Sequence, residues 1–284
     1  MLVLSYDSYI NYYHYVREMK IFKNKHNLQK KIFNNKNISF IPTMGSLHKG
    51  HISLINKSKK FRTKVLVSIY VNPKQFNNKK DFTNYPRNFK KDIRLLKKLK
   101  VDYLYQPNKD DIFKFRTVNN VFLDKFSNKL CGKYRKGHFE GVINVVNRFL
   151  EIIKPKYIML GEKDFQQLYL IKRHVLKNRI KTKIIPCSTI REKNGVACSS
   201  RNQRLNKEQL LIASKVFYFL KKNKNFSISK KNSIKKSLLN LGVDKVEYLE
   251  KLNMKSFKNV FTKQIKSKIF VAYYLKNIRL IDNI

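Results

Sequence analysis

The sequence predicts an α/β protein built on a parallel sheet, followed by a small α+β unit. Two patterns carry that expectation. Short apolar runs rich in β-branched and aromatic residues alternate with helical stripes through the first two thirds of the 284 residues. After Pro186 the alternation stops, and Lys, Asn and Ser become dense before two further strand-like runs. The expected units are therefore 1–186 and 187–284.

In chain order, residues 38–41, 65–71, 101–105, 157–160 and 184–186 read as short strands buried on both faces, as a parallel sheet requires. Between them, Phe89, Ile93 and Leu96 share one helical face. Val142, Val145, Val146, Phe149, Leu150 and Ile153 follow an i, i+3, i+4, i+7, i+8, i+11 stripe. Beyond 186, a helix is expected from 206 to about 222, a solvated loop over the Lys-rich stretch 221–236, and a short helix near 234–241. Strands are expected at 243–249 and 268–275. There is no internal repeat.

The bulk composition narrows the function classes. A hydrophobic content of 42% suits a folded domain, and no apolar run approaches the roughly 20 residues that span a bilayer. Residues 1–10 lack a basic segment leading into a secretory apolar run, so a cytoplasmic location is expected, with no membrane partner. Cys131, Cys187 and Cys198 are odd in number and form no Cys-x-x-Cys pair, which reads as reduced thiols. The 63 Lys+Arg against 18 Asp+Glu leave a net charge of +45, a value that ordinarily suggests nucleic acid. Here the excess is mostly Lys, spread over 20–36, 90–100, 177–183 and 221–236 amid abundant Asn, Ile, Tyr and Phe. An AT-rich coding sequence imposes that usage on tolerant surface positions. No specific nucleic-acid partner is expected, and an RNA-binding protein on an inactivated scaffold stands as the rival reading.

Residues 38–54 carry the densest chemistry: a strand, a turn at Gly45, then His48 and His51 opening a helix, where exposed N–H groups and the dipole favour phosphate. Read alone, the two histidines could equally be helix caps or metal ligands, although no Cys or carboxylate nearby completes a metal set. The ten residues Pro-Thr-Met-Gly-Ser-Leu-His-Lys-Gly-His resemble the His-x-Gly-His element of nucleotidyltransferases. Four further segments extend the match. They are 68–76 (Ser-Ile-Tyr-Val-Asn-Pro-Lys-Gln-Phe) with 81–87, 135–141 (Arg-Lys-Gly-His-Phe-Glu-Gly), 161–167 (Gly-Glu-Lys-Asp-Phe-Gln-Gln) and 191–202. In this order they resemble the pantothenate synthetase family, with weaker matches at 246–249 and 279–284. Another nucleotidyltransferase that stops at adenylyl transfer is the nearest rival.

The resemblance implies a Rossmann-like nucleotide-binding sheet with a small C-terminal α+β lid, and an ATP-dependent ligase joining pantoate to β-alanine through a pantoyl adenylate. It implies a homodimer, with Mg²⁺ accompanying ATP. ATP would be lined by Met44, Gly45, Ser46, Leu47, His48, Lys49, Gly50 and His51, by Gly161, Glu162, Lys163 and Asp164, and by Ile190, Cys198, Ser199, Ser200 and Arg201. His51 matches the proton-donor position; His48 and Lys163 complete the catalytic set on the phosphates. Gln75 and Gln167 would bind pantoate, helped by Met44, Asn72, Phe76, Arg135 and His138. Asp92 is the one acid left in a helix that often carries several, and is the candidate metal ligand. Cys131 stands where many relatives have Glu.

Overall fold

The computed structural model describes residues 18–35, 37–260 and 267–284; residues 1–10, read above for a leader, lie outside them. The chain runs β1 (Lys20–Phe22), α1 (Lys25–Ile32), β2 (Ile38–Thr43), α2 (Lys49–Lys59), β3 (Lys64–Ile69), α3 (Lys79–Thr83), α4 (Phe89–Lys98), β4 (Tyr103–Tyr105), α5 (Lys109–Phe113), α6 (Leu130–Tyr134), α7 (His138–Ile153), β5 (Tyr157–Gly161), α8 (Phe165–Lys177) and β6 (Lys183–Cys187). It continues through α9 (Lys207–Lys222), α10 (Lys231–Asn240), β7 (Lys245–Asn253), β8 (Ser267–Leu275) and β9 (Ile278–Asn283).

Strands β1 to β6 form one parallel sheet in the order β1-β4-β3-β2-β5-β6. The side-chain period of two feeds both faces. Ile38 and Phe40 join a core with α1, α7 and α8, whereas Ile41, Val65, Val67 and Leu104 pack against α2 and α4. The five expected strands are all present. β1 was not anticipated: three residues in a Lys-rich run carry too little pattern, and only pairing with β4 (Lys20↔Tyr103) makes them a strand.

The tail forms a three-stranded antiparallel sheet, β7-β8-β9. One face, with Leu249, Ile269, Val271 and Tyr273, packs under α9 and α10. The other, with Tyr248, Leu252, Phe270 and Ala272, joins the core of the large sheet. The expected loop over 221–236 is corrected. α9 runs to Lys222 and α10 begins at Lys231, burying Ile234 and Leu238 one turn apart. Lys is a good helix former, and its charge leaves the solvent face free to be basic. β9 was likewise missed as a strand, because 279–284 is short and half polar.

Candidate active site

The topology locates the site before any side chain is considered. From β2 the chain winds outward through β3 to β4, and β5, on the other side of β2, starts the opposite direction. A crevice opens beyond the carboxyl ends of two strands whose connections diverge in this way. A cleft of ≈ 270 Å³ lies there, lined by the exits of β2 and β5, by α7 and by the tail domain.

The β2–α2 turn is held in an unusual backbone state. Gly45 has φ +78°, and a Cβ there would stand 3.0 Å from an Asp92 oxygen, so glycine is required. Ser46 is also left-handed, at φ 52°. What holds the pair is Asp92 of α4, whose carboxylate accepts the amides of Ser46 and Leu47, both at 2.8 Å. Burial pushes that carboxyl up, against the downward pull of the two amides. Both oxygens thus bond the turn: Asp92, expected as a metal ligand, clamps it and is not among the residues lining the cleft. Among the described residues no group of three His, Cys, Asp or Glu is placed to hold a metal.

The turn delivers His48 as the N-cap of α2 and His51 as its N3 residue, joined in a reciprocal capping box. His51 Nδ1 accepts the His48 amide at 3.2 Å, and His48 Nδ1 accepts the Gly50 amide at 3.1 Å. Each neutral ring therefore carries its proton on Nε2. Burial, then the nearby Lys163 charge, lowers His48 to about 4 despite Asp164 and Glu192; burial, His48 and Lys163 hold His51 well below its usual value. The helix-cap reading holds, and capping occupies one nitrogen of each ring and leaves an N–H on the other. Both histidines line the cleft.

Across the cleft, β5 ends at Gly161 and the following turn presents Lys163, whose side chain is 18% exposed and whose Nζ lies 3.7 Å from Asp164. The third wall is the 188–202 loop. Ser199 caps a short 3-10 turn over Ser200–Arg204 and accepts the Arg201 amide, while buried Ser200 donates to the Ser46 carbonyl at 3.3 Å. Arg201 and Arg204 grip Asp81 at 2.7 and 3.3 Å. Burial opposes the charge of Asp81, yet the Arg201 hydrogen bond keeps it below the usual carboxylate range.

Part of the lining is amide and apolar. Met44, Gln75, Phe76 and Gln167 line the cleft together with Val142, Val145, Val146 and Phe149 of α7, and Gln75 Nε2 donates to Met44 Sδ at 2.6 Å. Arg135 and His138 also border the cleft, but their donors are turned to the protein. His138 Nδ1 donates to the Gln75 carbonyl at 2.7 Å; Arg135 donates to that same carbonyl at 3.0 Å and to His138 Nε2 at 3.0 Å. Burial and the neighbouring Arg279 lower Arg135 to about 10, so it stays cationic at neutral pH; burial and Arg135 lower His138 to about 3.

The cleft thus gathers Met44, His48, Gly50, His51, Gln75, Arg135, His138, Gly161, Lys163, Asp164, Gln167, Ile190, Cys198, Ser199, Ser200 and Arg201. It does not gather all the expected residues. Gly45, Ser46 and Leu47 shape the turn from behind. Lys49 points outward to Glu192 at 2.6 Å, and Glu162 lies off the cleft wall. Asn72 is 1% exposed, donating to the Gly141 carbonyl and accepting the Lys74 amide, so it supports the pocket without facing it.

The pantoate-β-alanine ligase family model matches residues 14–284. The chain belongs to that family. It is 40% identical over 262 residues to the pantothenate synthetase of Francisella tularensis subsp. novicida, covering 92% of this chain and 94% of that one. The crystal structure of the pantoate-β-alanine ligase of F. tularensis, complexed with β-γ ATP and β-alanine, superposes with TM-score 0.81 at 38% identity, covering 94% and 97% of the two chains. The pantothenate synthetase of Thermus thermophilus gives TM-score 0.86 at 27% identity, covering 94% and 99%. The protein is an ATP-dependent ligase that condenses pantoate with β-alanine.

The sequence reading of this ligase overlooked several groups. Tyr85 lines the cleft and donates from its hydroxyl to Ser200 Oγ at 3.3 Å. It lies inside the matched 81–87 segment but carries no periodicity of its own. The valines of α7 were read as core, and do pack there, yet the stripe is wide enough to wall the cleft too. Cys131, at the departure from the family pattern, has its Sγ 3.1 Å from the Tyr248 hydroxyl, and Arg279 donates to it at 3.5 Å. The carboxylate that pairs with Arg279 is Glu247 of β7.

Proposed function

We propose that the condensation proceeds in two steps within this one cleft. The pantoate carboxylate attacks the α-phosphorus of ATP, giving pantoyl adenylate and pyrophosphate. The β-alanine amine then attacks the acyl carbon, and AMP leaves as pantothenate forms. The observation that carries this reading is the make-up of the cleft lining. His48, His51, Lys163 and Arg201 bring donors and positive charge, and are assigned to the triphosphate as the phosphate end of the cleft. Gln75, Gln167 and the α7 valines suit a hydroxy acid with a dimethyl centre, since neutral amides can bond hydroxyls and valines can cover methyl groups.

In the first step negative charge grows on the phosphate oxygens, and donors already fixed in place stabilise it most. The Nε2–H groups of His48 and His51 and the Lys163 ammonium are such donors. Neutral resting histidines serve as hydrogen-bond donors, so the role of His51 is better read as donating to phosphate than as releasing a proton from an imidazolium. Mg²⁺ would accompany ATP as its counter-ion and offset the charge of the phosphates; among the described residues no three His, Cys, Asp or Glu side chains are placed to hold it. Residues 187–284 are read as the lid that completes the phosphate end. The family resemblance supports a homodimer, and three free buried thiols support a reducing, cytoplasmic setting.

Isotope exchange between pyrophosphate and ATP tests the scheme. Exchange should require pantoate and proceed without β-alanine, and AMP should be the nucleotide product. Exchange that needs the amine, or accumulation of ADP, would overturn the two-step reading.

A further inference from the structure

The C-terminal strand β9 and the Ile284 that follows it carry the segment Arg-Leu-Ile-Asp-Asn-Ile, which none of the chemistry above uses. Its last residues reach both phosphate-end loops. Asn283, 5% exposed, donates from its one side-chain nitrogen to the carbonyls of Glu162 and Lys163, each at 2.9 Å. Its side-chain oxygen accepts from Lys268 Nζ at 3.0 Å, so the amide orientation is fixed by its partners. Asp282 accepts from Arg191 at 2.6 and 3.0 Å, and Arg191 lies at the root of the loop that carries Ser199 and Arg201. The strand end is itself pinned, because Ile284 and Ile269 exchange both backbone hydrogen bonds at 2.9 and 3.0 Å.

We infer that Asn283 is a positioning residue for adenylate formation, acting by fixing the peptide turn from which Lys163 reaches the phosphates. The inference rests on the role proposed for Lys163. Two adjacent carbonyls at the end of β5 need two donors in one place, and a primary amide is the side chain that supplies them without charge. A carboxylate of the same shape would set oxygen against oxygen. The turn would then shift, and a displacement of about 1 Å in a reacting group costs on the order of 10² in rate. Because β9 belongs to the tail sheet, the phosphate end of the cleft is complete only when the tail is docked.

The isosteric variant Asn283→Asp tests this, with pantoate-dependent pyrophosphate exchange as the readout and thermal melting to confirm folding. Exchange should slow by about 10²-fold, with the KM for β-alanine unchanged. In a Lys163→Ala background the same substitution should add little, because the group it positions is gone. Lys268→Met breaks the bond on the far side of the amide but keeps both donors, and should exchange like the parent enzyme. If Asn283→Asp does not fold, Asn283→Ala, which removes both donors without adding a carboxylate, takes its place and should also slow exchange. Parent-like exchange in the folded Asn283 variant, an undiminished loss in the Lys163→Ala background, or an equal loss in Lys268→Met would each overturn the inference. A Lys163→Ala enzyme that exchanges like the parent would remove Lys163 from the reaction and this inference with it, leaving the two-step reading intact.

Discussion

His174 shows how one residue type divides between structure and chemistry. It is fully buried in α8, where Nδ1 accepts the Phe122 amide at 3.2 Å and Nε2 donates to Asn147 at 3.0 Å. Burial, against the Glu151 charge, lowers it to about 4. His48, His51 and His138 are lowered too. All four stay neutral in the folded protein at pH values where the unfolded chain binds protons, so unfolding takes up protons between about pH 6.5 and 4 and stability rises with pH across that window. His174 alone should account for about 1.4 kcal/mol per pH unit within it. Urea unfolding followed from pH 7 to 5 should show the decline, and a flat profile would contradict the assigned neutral states. Motif spacing made His48, His51 and His138 legible in the sequence. It could not show that His138 and Arg135 spend their donors on the Gln75 carbonyl, since that depends on a contact across some 60 positions.

Helix α7 was the clearest element in the sequence, yet its N-terminus does more than pack. Gly141 abuts the turn carrying Gln75 so closely that an added Cβ would lie 2.3 Å from the Lys74 carbonyl oxygen. Asn72, Arg135 and His138 bond across the same junction. Ala in place of a helical Gly ordinarily gains about 1 kcal/mol. Here the clash is with backbone, and overpacking of about 1–3 kcal/mol should win. Gly141→Ala is thus expected to lower the melting temperature and to raise the KM for pantoate more than that for ATP, measured by steady-state kinetics with each substrate varied. A stabilised variant with parent-like kinetics would mean the junction is loose. The periodic pattern revealed the helix because it repeats every turn; the Gly141 contact is a single approach and leaves no pattern.

At the scale of the molecule, the +45 charge is the feature the fold explains least. Lys231 pairs with Glu250, Lys64 with Asp102 and Lys49 with Glu192, but 18 acidic residues cannot match 63 basic ones. A positive field of that size should draw in anionic ATP and pantoate and attract RNA without regard to sequence. Both effects should fade as the Debye length falls to about 8 Å near 0.15 M salt. Fluorescence anisotropy with unrelated RNAs should therefore show weak binding at low salt that is lost at physiological ionic strength while ligase activity persists. Tight binding to one RNA at 0.15 M salt would make nucleic acid a true partner.

The alternation of apolar runs and stripes determined the parallel sheet, because burial on both faces leaves a local signature in each strand. The ordered motifs determined the family and the cast of cleft residues, because side-chain chemistry is written in residue type. Which of that cast faces the cleft was decided only by the tertiary structure. Asp92 closes on the Gly45 turn from another helix, Asn72 turns inward to α7, and Asn283 reaches from the last strand to the turn of Lys163. Each depends on a backbone group brought near by folding, and backbone amides and carbonyls are the same at every position of the sequence.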